Sequence, residues 1–322
     1  MAHYDVFNGD ADGICALHQL RLAYPLASRL VTGVKRDITL LDRVVAQPGD
    51  EITVLDISFD KNRTALLALL EGGARIKYFD HHFAGEIPPH PGLETFIDIA
   101  PDVCTSLLVN RFLQGRHRIW AVAGAFGDNL HEAARRAAEP LSLSQVQLAA
   151  LQNLGVCLNY NAYGESVADL YFPPDKLYRL LHPYPDPFAF MAEEDAFRQL
   201  QLGYAEDMAK AEGIAPEMAT ESCALYLLPD AAWSRRVSGS FGNSLARNWP
   251  RRAHALLTRR RDGFTVSVRA PLVSPTGADE LCRRFDSGGG RKAAAGINHL
   301  PESMLDEFIA QFRAAWMSSA ST

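Results

Sequence analysis

The first 80 residues alternate between short apolar segments typical of strands and segments with the residue spacing of a helix. This alternation constrains the fold strongly, because consecutive parallel strands must be joined by a crossover, which is usually a helix. The predicted strands are residues 3–8, 29–34, 52–56 and 75–79, and the predicted helices are residues 13–22 and 62–71. The sequence therefore predicts an α/β fold with a mostly parallel sheet and flanking helices.

The second half of the chain predicts a smaller α/β unit. Between about residues 104 and 213 the pattern is mainly helical. Beyond it, strands are predicted at 223–228, 253–257 and 264–269, and helices at 278–285 and 302–316. At 322 residues the chain is long enough for two domains. We therefore expect a first domain at 1–199, a helical connector at 200–220 and a second domain at 221–322.

Polar side chains stand at the ends of three predicted strands in the first half. They are Asp10 and Asp12, then Asp56, then Asp80, His81 and His82. The carboxyl ends of parallel strands meet at one edge of an open α/β sheet, which is where ligands bind. Converging carboxylates repel each other, and a divalent cation removes that cost. Carboxylate together with imidazole suits manganese or another transition metal better than calcium, and a pair of such ions activates water for attack on a phosphodiester.

Each of these residues has an alternative interpretation. Asp12 precedes Gly13 and could be only the N-cap of the first helix. Asp56 alone could be a turn residue, and His81 and His82 alone could be structural. Their joint placement at successive strand ends favours the metal interpretation.

Two features of the second half point to an anionic ligand. Residues 233–269 contain nine arginines and one acid, Asp262, although a solvated basic face is the alternative explanation. This window leads toward a glycine-rich, basic turn, Gly288-Gly289-Gly290-Arg291-Lys292. Phe241 and Trp249 lie near the arginines and could stack on nucleotides, but core packing is the favoured interpretation for both.

The composition argues against several classes of protein. A hydrophobic content of 48% and a charged content of 22% are ordinary for a soluble globular protein. No apolar run is long enough for a membrane span, and no basic-then-apolar signal segment is present at the N-terminus. Five scattered cysteines without a Cys-x-x-Cys pair favour free thiols in a reducing cytoplasm over zinc or disulfides.

Six ordered motifs resemble those of the DHH phosphoesterases that carry an appended DHHA1 domain, in particular the RecJ-like and nanoRNase-like members. In chain order they are Phe7-Asn8-Gly9-Asp10-Ala11-Asp12-Gly13, Val54-Leu55-Asp56, Phe79-Asp80-His81-His82, Gly124-Ala125-Phe126-Gly127-Asp128, Ser267-Val268-Arg269, and Gly288-Gly289-Gly290 through Ala294-Ala295-Gly296. Gly239-Ser240-Phe241-Gly242-Asn243 is also similar. The resemblance covers nearly the whole chain and implies a metal-binding DHH domain followed by a DHHA1-like substrate-binding domain.

The resemblance implies a set of metal ligands. Asp10 would bind one ion and Asp12 the other, and Asp56 would bridge them. His81 and Asp128 would complete the shell of the second ion. Two Mn²⁺ ions are expected, with Mg²⁺ or Co²⁺ as alternatives.

The resemblance also implies residues that act on the substrate. His82 would contact the scissile phosphate or assist proton transfer, and Asp80 would orient the metal-bound imidazole. Arg269 would hold a substrate phosphate. The remaining substrate-binding residues would be Asn243, Gly288, Gly289, Gly290 and Arg291, with the glycine amides approaching phosphate closely.

Two positions depart from the family pattern. Arg291 stands where the family has histidine after its glycines, and arginine cannot donate a proton near neutral pH. Asn8 stands where RecJ-type nucleases have aspartate, so one negative charge is lost. Both changes allow a divergent substrate or weakened catalysis.

The expected function is hydrolysis of short oligonucleotides or small nucleotides, of the nanoRNase or nucleoside bisphosphate type, in the space between the domains. One alternative is a RecJ-type single-strand exonuclease, which is less favoured because processive exonucleases need an extended channel. Another is a nucleotide-binding regulatory protein that has lost hydrolysis, which Asn8 and Arg291 keep open. No membrane partner is expected, and a homodimer is left open.

Overall fold

A computed structural model of the protein describes residues 1–317 and divides the chain into two compact units, Met1–Leu202 and Gly203–Thr322. A long helix, α9 (Asp195–Glu212), runs across the division. The range predicted as a connector, residues 200–220, thus contains the end of this helix and a short strand, Met218–Ala219.

The first unit has a parallel sheet with helices on both faces. Its strands are β1 (His3–Phe7), β2 (Arg29–Val31), β3 (Glu51–Leu55), β4 (Arg75–Asp80) and β5 (Leu93–Ile97), in the order β2-β1-β3-β4-β5. Its helices before α9 are α1 (Ala11–Ala23), α2 (Phe59–Glu71), α3 (Thr105–Phe112), α4 (Arg118–Gly127), α5 (His131–Ala138), α6 (Gln145–Tyr160), α7 (Pro174–Leu181) and α8 (Pro187–Glu193). This confirms the predicted fold class.

Alternation of side chains along the strands gives the sheet two apolar faces. Val6 and Val54 face the side covered by α2, where they pack in one core cluster with Leu66. Phe7 and Phe79 are also fully buried, and they face the opposite side, where Phe79 contacts Phe112 of α3. Burial on both faces explains why β1 and β3 each end in two consecutive apolar residues, Val6-Phe7 and Val54-Leu55.

Strand register brings the ends of β1, β3 and β4 to the same level. Phe7 lies opposite Leu55, which lies opposite Phe79. The residues that follow these strands therefore start at one edge of the sheet.

The second unit has a mixed sheet. Its strands are β6 (Met218–Ala219), β7 (Cys223–Leu228), β8 (Ala253–Arg260), β9 (Gly263–Arg269), β10 (Gly288–Arg291) and β11 (Ala294–Pro301), in the order β10-β11-β9-β8-β7-β6. Its helices are α10 (Ala232–Asn248), α11 (Ala278–Cys282) and α12 (Leu305–Met317). Phe308 and Phe312 of α12 pack in one apolar cluster with Leu257 and Val266 of the sheet.

Several elements of the second unit differ from the sequence predictions. The glycine-rich segment predicted as a turn forms strand β10, and only Lys292 and Ala293 make the turn to β11. Helix α10, residues 232–248, contains the first part of the arginine-rich window, and the sequence pattern did not predict this helix. The helix predicted at 278–285 ends at Cys282.

Within residues 1–317, no helix is long and apolar enough to cross a membrane. The five cysteines are all buried and free, as expected from their spacing.

Close helix packing fixes the end of α4, which carries Asp128. A Cβ atom on Gly127 would lie 2.2 Å from the Cβ of Ala11 and 2.8 Å from the carbonyl oxygen of Gly155. Glycine at 127 therefore lets α4 approach both α1 and α6. Asp128 follows directly as the C-cap of α4.

We predict that Gly127→Ala lowers the free energy of unfolding by about 1–3 kcal/mol, because the added methyl group must push α4 away from α1. Urea denaturation measures this change. The matched control is Gly213→Ala, where the nearest atom to the added Cβ is 3.5 Å away. Equal stability of the Gly127→Ala variant and the wild type would show that the helices are not packed this closely.

Candidate metal centre

Backbone hydrogen bonds hold the strand ends of the first sheet together. The amide of Asn8 donates to the carbonyl of Leu55 (3.2 Å), and the amide of Asp56 donates to that of Phe79 (3.0 Å). Asp56 has φ +60°, a left-handed conformation that is uncommon for residues other than glycine, though less so for aspartate. Its carboxyl group is buried and accepts a hydrogen bond from the Thr105 hydroxyl (3.1 Å).

The imidazole of His81 faces two of the carboxylates. Its Nδ1 lies 3.0 Å from the carbonyl oxygen of Val103, which requires Nδ1 to carry a proton if the two are hydrogen-bonded. Its Nε2 then has a lone pair, 3.4 Å from Oδ1 of Asp56 and 3.9 Å from Oδ2 of Asp128. This is the tautomer that a metal-binding histidine needs.

Asp12 is fully buried, and its carboxylate meets the start of α3. One oxygen accepts the amide hydrogen of Thr105 and the other that of Ser106, both at 2.7 Å. The N-cap of α1 is Asp10, whose side chain accepts from the amide of Gly13 (3.0 Å). The alternative that Asp12 only caps its own helix is therefore wrong. Each carboxylate oxygen of Asp12 still has a second lone pair for a cation.

Asp80 is fully buried and orients His82. Its Oδ1 accepts the amide hydrogens of His81 (2.8 Å) and His82 (3.2 Å) and lies 2.6 Å from Nδ1 of His82. Its Oδ2 accepts the amide hydrogen of Phe59 at the start of α2 (3.0 Å). The prediction assigned Asp80 to the ring of the metal-binding histidine, but in the structure the Val103 carbonyl contacts the His81 ring and Asp80 contacts that of His82.

The bond to Asp80 changes the titration of His82. Burial opposes the charged imidazolium, but the hydrogen bond and negative charge of Asp80 outweigh burial, so the pKa of His82 is raised. The His82 side chain remains 43% exposed, so a bound molecule can reach it.

Lys35 joins this cluster, although no sequence motif indicated it. Its ammonium group forms an ion pair with Asp10 and lies 3.7 Å from Oδ1 of Asp128. It also donates to the side chain of Asn159 (3.3 Å) and lies 5.7 Å from the ring centre of Tyr163. Lys35 follows β2 in a loop with no regular pattern, so only the structure brings it to the site.

The ammonium group and the carboxylates perturb each other. Burial disfavours the charged ammonium, but the charge of Asp10 outweighs burial and raises the pKa of Lys35 well above its usual value. Burial would raise the pKa of Asp10, yet Lys35 lowers it. The pKa of Asp56 is raised well above its usual value by burial and by the charges of Asp12 and Asp10. The cluster therefore has excess negative charge that Lys35 compensates only in part.

Asn8 connects Lys35 to Asp10. Its side-chain oxygen accepts the amide hydrogen of Asp10 (3.3 Å), and its side-chain nitrogen donates to the carbonyl of Lys35 (3.3 Å). An aspartate could accept the first bond but could not donate the second. The departure at position 8 therefore fits the local structure.

The end of α6 and the residues that follow it contain both structural and site residues. The ring of Tyr160 is buried, and Asn161 is fully buried with its side chain bonded to both backbone groups of Phe172. These two side chains therefore have a structural role. Asn159 and Tyr163, however, reach the site through Lys35.

The donor set fits a divalent cation. Two groups have ligand atoms within 4.8 Å of one another: Asp56, His81 and His82, and Asp12, His81 and Asp128. A mixed set of carboxylate oxygens and imidazole nitrogen suits manganese or another transition metal better than calcium. Among the described residues, Asp10 belongs to neither group, and its carboxylate is instead paired with Lys35.

In the second unit, Arg269 lies at the end of β9 in a fixed orientation. Its Nε donates to the side-chain oxygen of Asn243 (2.7 Å) and its Nη1 to the Ser267 hydroxyl (2.9 Å). Asn243 thus positions the guanidinium group of Arg269. A Cβ atom on Gly242 would lie 3.5 Å from Cγ of Arg269, so the helix passes close beside this side chain.

The glycines of β10 have different surroundings. A Cβ atom on Gly288 would lie 1.8 Å from the carbonyl oxygen of Cys282, and one on Gly290 (φ +140°) would lie 2.5 Å from Cα of Ala295. These two glycines are required by packing. A Cβ atom on Gly289 would meet no atom within 4 Å, so its backbone is open to approach. Arg291 is exposed at the end of the strand.

No protein-family model matches this chain, and no curated protein sequence does either. Solved structures do match. A manganese-bound exonuclease RecJ has a TM-score of 0.64 at 18% sequence identity, over 100% of this chain and 91% of that chain. A manganese complex of RecJ from Thermus thermophilus has a TM-score of 0.63 at 19% identity, over 97% of this chain and 51% of that chain.

A pGpG-specific phosphodiesterase from Vibrio cholerae has a TM-score of 0.56 at 12% identity, over 98% of this chain and 100% of that chain. The chain therefore has the same fold as these proteins, which agrees with the resemblance to DHH/DHHA1 phosphoesterases that the ordered motifs indicated. The first unit carries a candidate metal cluster of aspartates and histidines, and a second α/β unit follows it in the chain.

We predict that Lys35→Ala binds Mn²⁺ about tenfold more tightly than the wild type, equivalent to about 1.4 kcal/mol, because the ion no longer competes with an ammonium group for Asp10. Isothermal titration calorimetry measures the Kd. The matched control is Lys61→Ala, an exposed lysine on α2. Weaker binding by the Lys35→Ala variant would mean that Lys35 supports the metal site instead of competing with it.

Proposed function

We propose that this chain is a metal-dependent phosphoesterase that hydrolyses phosphodiester bonds in short oligonucleotides or small nucleotides, with Mn²⁺ as the preferred ion. The observation that carries the proposal is the meeting of Asp12, Asp56 and Asp128 with Nε2 of His81 at the carboxyl edge of a parallel sheet. A protein that only binds nucleotides has little need for this set of ligands.

The proposed metal ligands are Asp10, Asp12, Asp56, His81 and Asp128. When bound, a divalent cation neutralises the carboxylates and activates water and phosphate as a Lewis acid. The carboxyl group of Asp56 lies beside both the imidazole of His81 and the side chain of Asp10, so it would suit a ligand shared by two ions. Asp10 becomes available to a cation once the ammonium group of Lys35 moves away.

His82 has the position of a phosphate-binding or proton-transferring group. Asp80 holds its Nδ1, which leaves the Nε2 side of the ring for the substrate. In the second unit, Arg269 is fixed by Asn243 and offers a planar donor group for a phosphate. The open backbone at Gly289 and the exposed Arg291 would add contacts to the same anion.

The chemistry of the site and the proteins that share this fold support the proposed class of substrate. Proteins with this fold include a RecJ exonuclease and a phosphodiesterase specific for pGpG, so nucleotides joined by phosphodiester bonds are the shared theme. A single-strand exonuclease remains the second candidate, because a RecJ structure is matched over 91% of its own length.

We predict that the purified protein with Mn²⁺ turns over at least one member of a substrate panel, and that Asp56→Asn lowers kcat by at least about a hundredfold. The panel contains dinucleotides, five-residue RNA, 3′,5′-bisphosphoadenosine, cyclic dinucleotides, pyrophosphate and single-stranded DNA. The matched control is Asp60→Asn, an exposed acid on α2.

The outcome separates the candidate functions. Turnover of dinucleotides or five-residue RNA supports the proposal, and preference for long single-stranded DNA supports the exonuclease. Nucleotide binding without any turnover, in a protein that holds no Mn²⁺, contradicts hydrolysis and supports the regulatory alternative.

We predict that Arg269→Ala lowers kcat/KM by roughly 10- to 100-fold, because a charge-assisted hydrogen bond to phosphate is worth about 1.5–3 kcal/mol. Mn²⁺ content should stay unchanged, since Arg269 holds no metal. Arg261→Ala, an exposed arginine in the β8–β9 turn, is the control. Unchanged kinetics in Arg269→Ala would place the substrate elsewhere.

A further inference from the structure

Trp249 is exposed, contrary to the expectation of core packing. Half of its surface, 51%, is accessible, whereas Phe241 is buried as expected. Trp249 follows the last residue of α10, and its amide donates to the carbonyl of Leu245 (2.9 Å). About half of this tryptophan at the end of α10 is therefore open to solvent.

An arginine lies against this ring. The guanidinium carbon of Arg252 is 4.4 Å from the ring centre of Trp249, a cation–π distance. Within residues 1–317, Nε of Arg252 is buried without a hydrogen-bond partner. The pair is therefore held together but retains an unused donor.

More apolar and basic groups surround the pair. Arg247 and Arg251 are exposed on either side of Trp249 in the chain. Leu272 and Val273 are 50% and 66% exposed, and the amide of Val273 donates to the carbonyl of Pro250 (3.2 Å). This hydrogen bond joins the loop after β9 to the loop before β8. We call the six residues of this surface the Trp249 patch: Arg247, Trp249, Arg251, Arg252, Leu272 and Val273.

The patch continues from Arg269 along one end of the second sheet. His254, near the start of β8, pairs with Arg269 at the end of β9, so the loops flanking both strands share this end. Asn243 and Arg247 are four residues apart on α10 and lie on the same face. The amide of Ala270 donates to the carbonyl of Ala293 (2.9 Å), which brings the turn after Arg291 to the same end.

Other arginines of the window are already paired. Arg236 is bonded to the buried Asp207, and Arg235 and Arg259 form ion pairs with Asp230 and Glu302. Within the basic window, these three arginines are thus structural, whereas Arg247, Arg251 and Arg252 surround Trp249. Only the latter group combines cations with an exposed aromatic ring.

We propose that the Trp249 patch binds single-stranded nucleic acid, with one base stacked on Trp249 and backbone phosphates on Arg247 and Arg251. Stacking needs a flat aromatic surface and phosphates need cations, and the patch provides both. The proposal rests on the proposed function for its substrate class. The patch extends the proposed function, because nucleotides beyond the phosphate at Arg269 would then contribute to affinity.

The test compares a five-residue RNA with a dinucleotide in the Asp56→Asn background, which suppresses hydrolysis. Fluorescence anisotropy of labelled RNA gives the Kd. Trp249→Ala should weaken binding of the five-residue RNA about tenfold and should change the affinity for the dinucleotide less than about twofold. Trp249→Phe should retain most of the affinity for the five-residue RNA, because its ring can still stack on a base. Arg251→Ala should lower the salt dependence of binding by about one phosphate contact. Arg261→Ala is the control, and circular dichroism checks folding.

The outcomes are distinct. Equal affinity of Trp249→Ala and its parent for the five-residue RNA, with Arg269→Ala weakened, overturns the patch and leaves the proposed function standing. Absence of RNA binding by the parent itself also overturns the patch, and the proposed function is then decided separately by turnover of the substrate panel with the wild type. Loss of binding to anionic vesicles or acidic peptides in Trp249→Ala, with RNA binding unaffected, assigns the surface to a different partner and also overturns the proposal.

Discussion

Repulsion between carboxylates at one edge of the first sheet is the interaction on which the candidate site depends. The register of the strands and the capping of α1 bring Asp10 and Asp56 together, and close packing of α4 adds Asp128. Folding must therefore place several negative charges in a poorly solvated region, which is costly unless a cation compensates them. Lys35 supplies one compensating charge, but the pKa of Asp56 is still raised, by burial and by the charges of Asp12 and Asp10. A divalent cation bound here would complete the balance and would couple metal binding to the stability of this edge.

The substitution of asparagine at position 8 has a local explanation. Asn8 holds the amide of Asp10 with its oxygen and the carbonyl of Lys35 with its nitrogen. The same side chain thus positions the carboxylate of Asp10 and the lysine that pairs with it. Asparagine in place of aspartate at position 8 and the ammonium group of Lys35 both lower the negative charge of this edge.

The sequence predicted the first unit well because its signals are local. Apolar runs followed by polar residues mark β1, β3 and β4, and the parallel arrangement then brings Asp10, Asp56 and His81 to one edge. Lys35 could not be predicted, because it lies in an irregular loop and reaches the site only through tertiary contacts. The partner of the His81 ring was also missed, since the Val103 carbonyl belongs to a distant loop and backbone groups leave no sequence signal.

Two features of the second unit, helix α10 and the exposure of Trp249, could not be predicted from the sequence. The sequence pattern did not predict helix α10, because it contains Gly239 and Gly242 and glycine is unfavourable in a helix interior. Gly242 is needed there because the helix passes close to Leu256 and Arg269. The exposure of Trp249 was also hidden, since hydrophobicity does not tell whether another element covers a side chain.

The most direct test is an anomalous difference map from crystals soaked in Mn²⁺, recorded at the manganese absorption edge. We expect a peak about 2.0–2.3 Å from Nε2 of His81 and from carboxylate oxygens of Asp56 and Asp128, typical of metal–ligand bonds in proteins. We also expect the Lys35 ammonium group to have left Asp10 where an ion is bound beside it. A fully soaked crystal with no peak at this edge of the sheet, and with Lys35 still paired to Asp10, would contradict the proposal that these residues bind a metal ion.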